Sequence, residues 1–211
     1  MKLTEPDRDY RPLVAAGYDA IAGAHTEART AGGDDALTPL LARLPRGARV
    51  LDLGCGGGVP IARRLAEQCD VVGADISRSQ IALARKNVPA GQFVLADMTH
   101  LSFARGSFDA AVSFYAIFHT PRTEHEAILR RIHEWLRPGG YVLATLAMRD
   151  DPDYTEEFFG VEMYWSNFEI SHYRELLPSI GFEMLDDQVI SHGYAEDAPA
   201  ETHPLIFARK R

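Results

Sequence analysis

The sequence predicts an α/β fold, and three observations predict it. Short apolar runs alternate with longer amphipathic segments, the linkers between them are short, and a glycine-rich turn stands where the first strand of the series hands over to a helix. Composition agrees with one domain: 211 residues, 46% hydrophobic and 25% charged, are enough to bury a core without a disulfide or metal staple.

The elements follow in order. Residues 10–29 and 35–44 have helical patterns, separated by the turn-like Thr30-Ala31-Gly32-Gly33. Residues 49–53, 70–74, 93–96, 108–114 and 141–146 are short and rich in Val, Leu, Phe and Ala, as strands covered on both faces of a parallel sheet require. Helices are predicted between them. Residues 60–68 form one; residues 77–88 form the clearest, opened by Ser77 with Gln80 at capping-box spacing and stopped before Pro89. Residues 121–136 form a third, with Thr120 able to cap it, Pro121 suited to its first turn, and Ile128, Leu129, Ile132, Trp135 and Leu136 on one apolar face. After the fifth strand, residues 148–168 match neither period. A helix over 170–180 closed by Gly181 and two strand-like runs, 182–191 and 204–209, complete the chain, the last two able to pair as a hairpin.

Several function classes are disfavoured. The longest apolar run, about 110–118, is well short of the roughly 20 residues a membrane span needs. The first nine residues carry charges where a signal peptide would have its apolar stretch, so a cytoplasmic protein is expected. Cys55 and Cys69 are too few for a disulfide framework. With 30 acidic and 22 basic residues, the chain is repelled by phosphate backbones, which favours a small substrate over nucleic acid.

The chemistry concentrates in Asp52-Leu53-Gly54-Cys55-Gly56-Gly57-Gly58, which ends a strand and opens a helix, so a ligand can lie against bare backbone. Asp75, followed by Ile76, stands 21 positions past Gly54 at the end of the second strand, where a carboxylate can accept bonds from ribose hydroxyls. A dinucleotide fingerprint would want Gly or Ala where the chain has Val59, followed here by Pro60. Asp52 suits phosphates badly but can hold an ammonium group. Asp97 closes the third strand, placed for an adenine amino group, with Met98 beside the ring. Adenosine joined to an amino acid fits this set.

At these residues the sequence resembles the class I S-adenosylmethionine-dependent methyltransferases, in particular the small-molecule branch called type 11. The resemblance covers roughly residues 10–146 and rests on 52–58, Asp75, Asp97-Met98, Ser107-Phe108-Asp109-Ala110-Ala111-Val112-Ser113 and Leu136-Arg137-Pro138-Gly139-Gly140. It implies a Rossmann-like, doubly wound seven-stranded sheet with an antiparallel last strand. It implies S-adenosylmethionine as cofactor, with Gly54, Cys55 and Gly56 against its methionine part, Asp75 and Ile76 at the ribose, Asp97 and Met98 at the adenine, and Ser113 and Phe114 at the sulfonium. Tyr18 sits where such enzymes close an N-terminal helix over the cofactor. One domain over 1–211 is then expected: a helical cap (1–46), a cofactor-binding core (47–146), a lid (147–169), and a C-terminal helix and β-hairpin (170–211).

Methyl transfer by in-line displacement depends on positioning. For a hydroxyl acceptor a base helps, and His119, just past the fourth strand, is the candidate; the competing reading is that it packs the following helix. No His/Cys/Asp/Glu spacing indicates a metal. The lid carries six aromatics between 154 and 168, among them Phe158, Tyr164 and Trp165, which read as the cover of an apolar or planar acceptor or as a satellite core against the N-terminal helices. The expected activity is O- or N-methylation of a small molecule without metal. An NAD(P)-dependent reductase and a protein or RNA methyltransferase are the alternatives; the first lacks a Tyr-x-x-x-Lys pair, the second a basic stripe.

Overall fold

The structure is a computed structural model that describes residues 2–3, 9–30, 35–192 and 201–211. The turn expected at 30–33 falls largely outside these residues. Ten strands are described: β1 (Lys2–Leu3), β2 (Ala48–Leu53), β3 (Cys69–Asp75), β4 (Gln92–Leu95), β5 (Phe108–Ser113), β6 (Leu136–Thr145), β7 (Asp151–Phe158), β8 (Val161–Asn167), β9 (Phe182–His192) and β10 (Glu201–Lys210). The helices are α1 (Arg11–Thr30), α2 (Thr38–Leu41), α3 (Ile61–Leu65), α4 (Arg78–Asn87), α5 (Arg122–Trp135) and α6 (Ile170–Ile180).

Seven strands form one sheet in the order β4-β3-β2-β5-β6-β10-β9. The inner strands pair in parallel, while β10 runs antiparallel to both β6 and β9. The last strand therefore inserts between its own hairpin partner and β6, as a seven-stranded sheet with an antiparallel last strand demands. One face buries Ile128, Leu129, Ile132 and Trp135 of α5 with Tyr173 and Leu177 of α6. The other buries Leu40 and Leu41 of α2, Ala62 and Leu65 of α3, and Ile81 and Ala84 of α4. The change of face occurs between β2 and β5, so a crevice opens beyond their carboxyl ends.

Local chemistry explains the boundaries. The Ser77 hydroxyl accepts from Gln80 N at 3.1 Å and opens α4. Gly181 closes α6 with φ 115°, in the left-handed region where a Cβ is costly. Thr120 does not cap α5. Its hydroxyl turns back to the Ile117 carbonyl at 2.7 Å, Pro121 is the cap residue, and the Arg122 amide donates instead to Ser166 Oγ at 2.9 Å.

The segment after the fifth strand is not irregular. It is the hairpin β7–β8, turned at Phe159-Gly160 with φ 51° and 80°, and extended by β1 into a three-stranded sheet. The period-2 pattern is absent from β8 because consecutive residues there are both buried. Met163 and Tyr164 both pack with Tyr10, Val14 and Ile21 near α1, and Ser166 and Asn167 are both buried near α5.

Candidate active site

Four strand ends and one helix build the site. After β2 the chain turns through Gly54 and Gly56, with φ of 72° and 52°. A Cβ at Gly54 would stand 2.1 Å from the Ala116 Cβ, so this turn admits no side chain. The amides of Gly54 and Cys55 both donate to the Ala74 carbonyl, at 2.8 and 3.1 Å, which ties the turn to β3. The Cys55 thiol is buried, which pushes its pKa well up, so it serves as a small packing group rather than a nucleophile.

Three carboxylates surround this turn in different states. Asp75 at the end of β3 accepts from Gly56 N and Ser77 N, both at 2.9 Å. Burial nevertheless pushes it up to about 6. Asp75 lines the crevice, and each of its oxygens keeps one lone-pair site beyond these amides. Asp52 is 1% exposed, and its Oδ2 has no hydrogen-bond partner among the described residues. Burial, and then the charge of Asp75, push it up to about 8. A buried carboxyl in that condition calls for a cation. Asp97 is the opposite case. Burial would raise it, but bonds from Thr99, Arg11 and His100 outweigh that and hold it below its ordinary value. Its Oδ2 accepts from Arg11 Nε at 2.5 Å and Thr99 Oγ1 at 2.7 Å.

Helix α1 closes the crevice. Tyr10, Val14, Tyr18, His25 and Arg29 all line it, and their spacings of four and seven residues put them on one helical face. Of this stripe only Tyr18 is expected at the site from sequence, although the four- and seven-residue spacing is legible there. Tyr18 and His119, 101 positions apart, meet at 2.8 Å between the tyrosine hydroxyl and Nε2. His119 is 7% exposed, and its Nδ1 lies 2.7 Å from the Tyr164 carbonyl. A carbonyl only accepts, so Nδ1 carries the proton and Nε2 keeps a lone pair for the Tyr18 hydroxyl.

Of the expected ligand-binding residues, Tyr18, Asp52, Gly54, Cys55, Gly56, Asp75, Ile76, Asp97, Met98 and Phe114 converge on this crevice, and His119 stands at its edge. Ser113 does not. Its hydroxyl donates to the Leu53 carbonyl at 3.0 Å and cross-links β5 to β2, away from the crevice wall. A second, outer pocket of about 560 Å³ adjoins the first through Tyr18, Arg29, Tyr115 and His119. Phe158 and Trp165 line it, as a cover for an acceptor would. Tyr164 lines neither pocket: its ring stacks on Tyr10 at 5.1 Å, and its hydroxyl donates to Asp153 at 2.8 Å. The hairpin thus lines the outer pocket with Phe158 and Trp165 and packs Met163 and Tyr164 into a satellite core with Tyr10, Val14 and Ile21. Tyr115 was missed. It adopts φ 56°, with its ring under the Arg29 guanidinium at 3.7 Å, and no sequence pattern announces a bulky residue in the left-handed region.

Comparison with known proteins points the same way. Residues 50–140 match a family model described as a methyltransferase domain. A methyltransferase of Streptomyces halstedii, GfsG, is 31% identical over 169 residues, covering 73% of this chain. The match spans only 59% of that relative's own length. Among solved structures, the Burkholderia thailandensis 1,6-didemethyltoxoflavin-N1-methyltransferase with 1,6-didemethyltoxoflavin and S-adenosylhomocysteine bound superposes with a TM-score of 0.75, at 23% identity over 99% of this chain and 93% of that one. The magnesium protoporphyrin IX methyltransferase of Synechocystis PCC 6803 with bound SAM gives 0.73, at 17% identity over 99% and 100% of the two chains. At these identities the two structures establish the fold. No helix among the described residues is long and apolar enough to cross a membrane.

Proposed function

The chain belongs to the methyltransferase-domain family through residues 50–140, and from that premise we propose that it transfers a methyl group from S-adenosylmethionine to an oxygen or nitrogen of a small planar molecule. The observation that carries this reading is Asp52, a buried carboxyl with an unpartnered oxygen among the described residues, beside a turn that only glycine can make. A ligand that brings an ammonium group and a nucleoside satisfies both features. A nicotinamide dinucleotide brings no ammonium group to meet the unpartnered Asp52 oxygen.

S-adenosylmethionine, when bound, supplies a methyl group activated on a cationic sulfur. The chain's own residues do the rest. Asp52 holds the ammonium, Asp75 the ribose hydroxyls, and the bare backbone at Gly54–Gly56 lets the ligand lie against the turn. Asp97 and Met98 would flank the adenine, and Phe114 would line the sulfonium end. Helix α1 covers the crevice and excludes water, so the positioned groups act in a low dielectric. His119 is fixed in one tautomer by the Tyr164 carbonyl, and its lone pair takes the Tyr18 proton. The Tyr18 oxygen can then accept a proton from an acceptor hydroxyl, and the pair serves as the base. The aromatic outer pocket, with Phe158 and Trp165, supports a planar acceptor. The Burkholderia neighbour, whose fold this chain shares, holds a small molecule of its own together with S-adenosylhomocysteine.

Calorimetric titration tests the reading. S-adenosylhomocysteine is expected to bind and NADH to leave no heat. Binding of NADH alone, or of neither compound, refutes it.

A further inference from the structure

The first turn of α1 breaks a local rule. Arg11 is its first residue, and a cation there faces the positive end of the helix dipole, with no acidic residue in that turn to offset it. Helix preference argues against this residue, so its reason lies in tertiary contacts.

Those contacts use all three guanidinium nitrogens. Nε donates to Asp97 Oδ2 at 2.5 Å, Nη1 to Asp9 Oδ1 at 3.3 Å, and Nη2 to Thr99 Oγ1 at 3.3 Å and Glu124 Oε1 at 3.2 Å. Asp97 follows β4, whereas Glu124 stands in the first turn of α5, which follows β5. One side chain thus ties the start of α1 to two separate segments, 86 and 113 positions along the chain. Tyr10, the residue before it, donates to Glu124 Oε2 at 3.4 Å and lies under the Arg11 guanidinium at 4.8 Å. Tyr10, Val14 and Asp97 line the cofactor crevice, and Arg11 does not.

Asp97 is a fixed post for this attachment. Thr99 grips both of its oxygens, the amide donating to Oδ1 at 2.9 Å and the hydroxyl to Oδ2 at 2.7 Å. With Arg11 and Thr99 donating to it, Oδ2 is filled, while Oδ1 receives only the Thr99 amide among the described residues and keeps one lone-pair site for a ligand. The same carboxylate can therefore hold the helix by one oxygen and a ligand by the other. Further along, Asp19 of α1 accepts from Ser77 Oγ at 2.6 Å and Ser79 N at 2.8 Å, so the middle of the helix has its own attachment. Arg11 holds only the beginning, where the amides lack partners within the helix and the turn frays unless it is tied.

We propose that Arg11 is a positioning residue for the cofactor: through Asp97 Oδ2 and Glu124 it holds the first turn of α1 over the adenine end of the crevice, so that Tyr10 and Val14 cover the bound nucleoside. This rests on the methyl-transfer reading above, because that reading places the adenine at Asp97.

The test titrates S-adenosylhomocysteine, and 5′-methylthioadenosine as a probe that keeps the adenosine and lacks the amino acid, against the full chain, Arg11→Met, Glu124→Gln and the double variant. Methionine keeps the apolar stem and removes a charge that the helix dipole disfavours, so the variant loses nothing in helix preference. Arg11→Met is expected to weaken both ligands by the same factor, about tenfold, the low end for lost bonds between part-exposed charged groups. Glu124→Gln weakens both by about threefold, and the double variant no further than Arg11→Met, because Glu124 acts on the ligand through Arg11. In the ligand-free protein, hydrogen exchange at amides 14–18 quickens in Arg11→Met, while amides beyond Asp19 keep wild-type rates. Unchanged S-adenosylhomocysteine affinity in Arg11→Met, a loss that spares methylthioadenosine, factors that multiply in the double variant, or exchange that quickens throughout the chain overturns the proposal. So does a wild type that binds S-adenosylhomocysteine but not methylthioadenosine. If Arg11→Met does not fold, Glu124→Gln decides, and wild-type affinity in it overturns the assignment. If S-adenosylhomocysteine binds the wild type while these differences are missing, only the Arg11 assignment falls; if it does not bind, the methyl-transfer reading falls with it.

Discussion

Asp52 makes ligand affinity depend on pH in a calculable way. In the free protein its carboxyl stands at about 8, because burial disfavours the charge and Asp75 adds repulsion. A group of that pKa is ionised in about a tenth of molecules at pH 7 and about a hundredth at pH 6. Only the ionised form attracts an ammonium group, so the affinity for S-adenosylhomocysteine is expected to be about tenfold weaker at pH 6 than at pH 7. Binding at pH 7 then releases about 0.9 of a proton, read from calorimetric heats in buffers of different ionisation enthalpy. Above about pH 8 Asp52 is mostly ionised already in the free protein, which levels the profile. Asp52→Asn keeps the shape of the side chain and removes its charge. It should weaken binding at pH 8 by about 10- to 100-fold, the range for a hydrogen bond to a charged group, and flatten the limb between pH 6 and 7. The reasoning is refuted if the wild-type constant changes less than twofold between pH 6 and 7, or if the Asn variant keeps the wild-type slope.

Three further outcomes follow. Gly54→Ala places a methyl 2.1 Å from the Ala116 Cβ at φ 72°, so it should lower stability by roughly 2–4 kcal/mol in urea titrations and abolish S-adenosylhomocysteine binding; a wild-type midpoint would show that the turn yields. In nitrogen-15 NMR spectra His119 should show a protonated Nδ1 and an unprotonated Nε2 at pH 7.5, with the Nε2 signal shifting in Tyr18→Phe; the reverse tautomer would break the proposed proton path. His125 is buried between Tyr173 Oη at 2.7 Å and the Thr120 carbonyl at 3.0 Å, and burial lowers it to about 4 from its ordinary 6.5. Its folded-state value is depressed, so its contribution is present above pH 6.5 and is lost as pH falls toward 4. The stability gap between wild type and His125→Gln should therefore shrink by about 1.4 kcal/mol per pH unit in that window, and a constant gap would contradict the assignment.

Much of the fold was legible in the chain because its signals are local. Ser77 with Gln80 marked the start of α4, Gly181 the end of α6, and five apolar runs the strands of the parallel core. Three features were not legible. Thr120 looked like a cap, yet the first free amide of α5 is met by Ser166, 44 positions away. The hairpin β7–β8 hid its period because β8 buries both members of two consecutive pairs, Met163-Tyr164 near α1 and Ser166-Asn167 near α5. The stripe of Tyr10, Val14, Tyr18, His25 and Arg29 was visible as a pattern, but which side of the sheet it would cover was not.

For the site, the sequence by itself determined which polar groups stand at the strand ends, because strand, turn and helix boundaries are set by neighbours within a few residues. Asp52, Asp75 and Asp97 needed no tertiary information to be placed at the edge of the sheet. The tertiary structure alone decided which of their lone pairs are already spent. Arg11 reaches Asp97 from 86 positions away, the Leu53 carbonyl accepts from the Ser113 hydroxyl across 60, and the Tyr164 carbonyl accepts from His119 Nδ1 across 45. Asp52 and Asn167 keep oxygens that no described residue meets. A hydrogen bond is a matter of distance in space, and separation along the chain does not specify it.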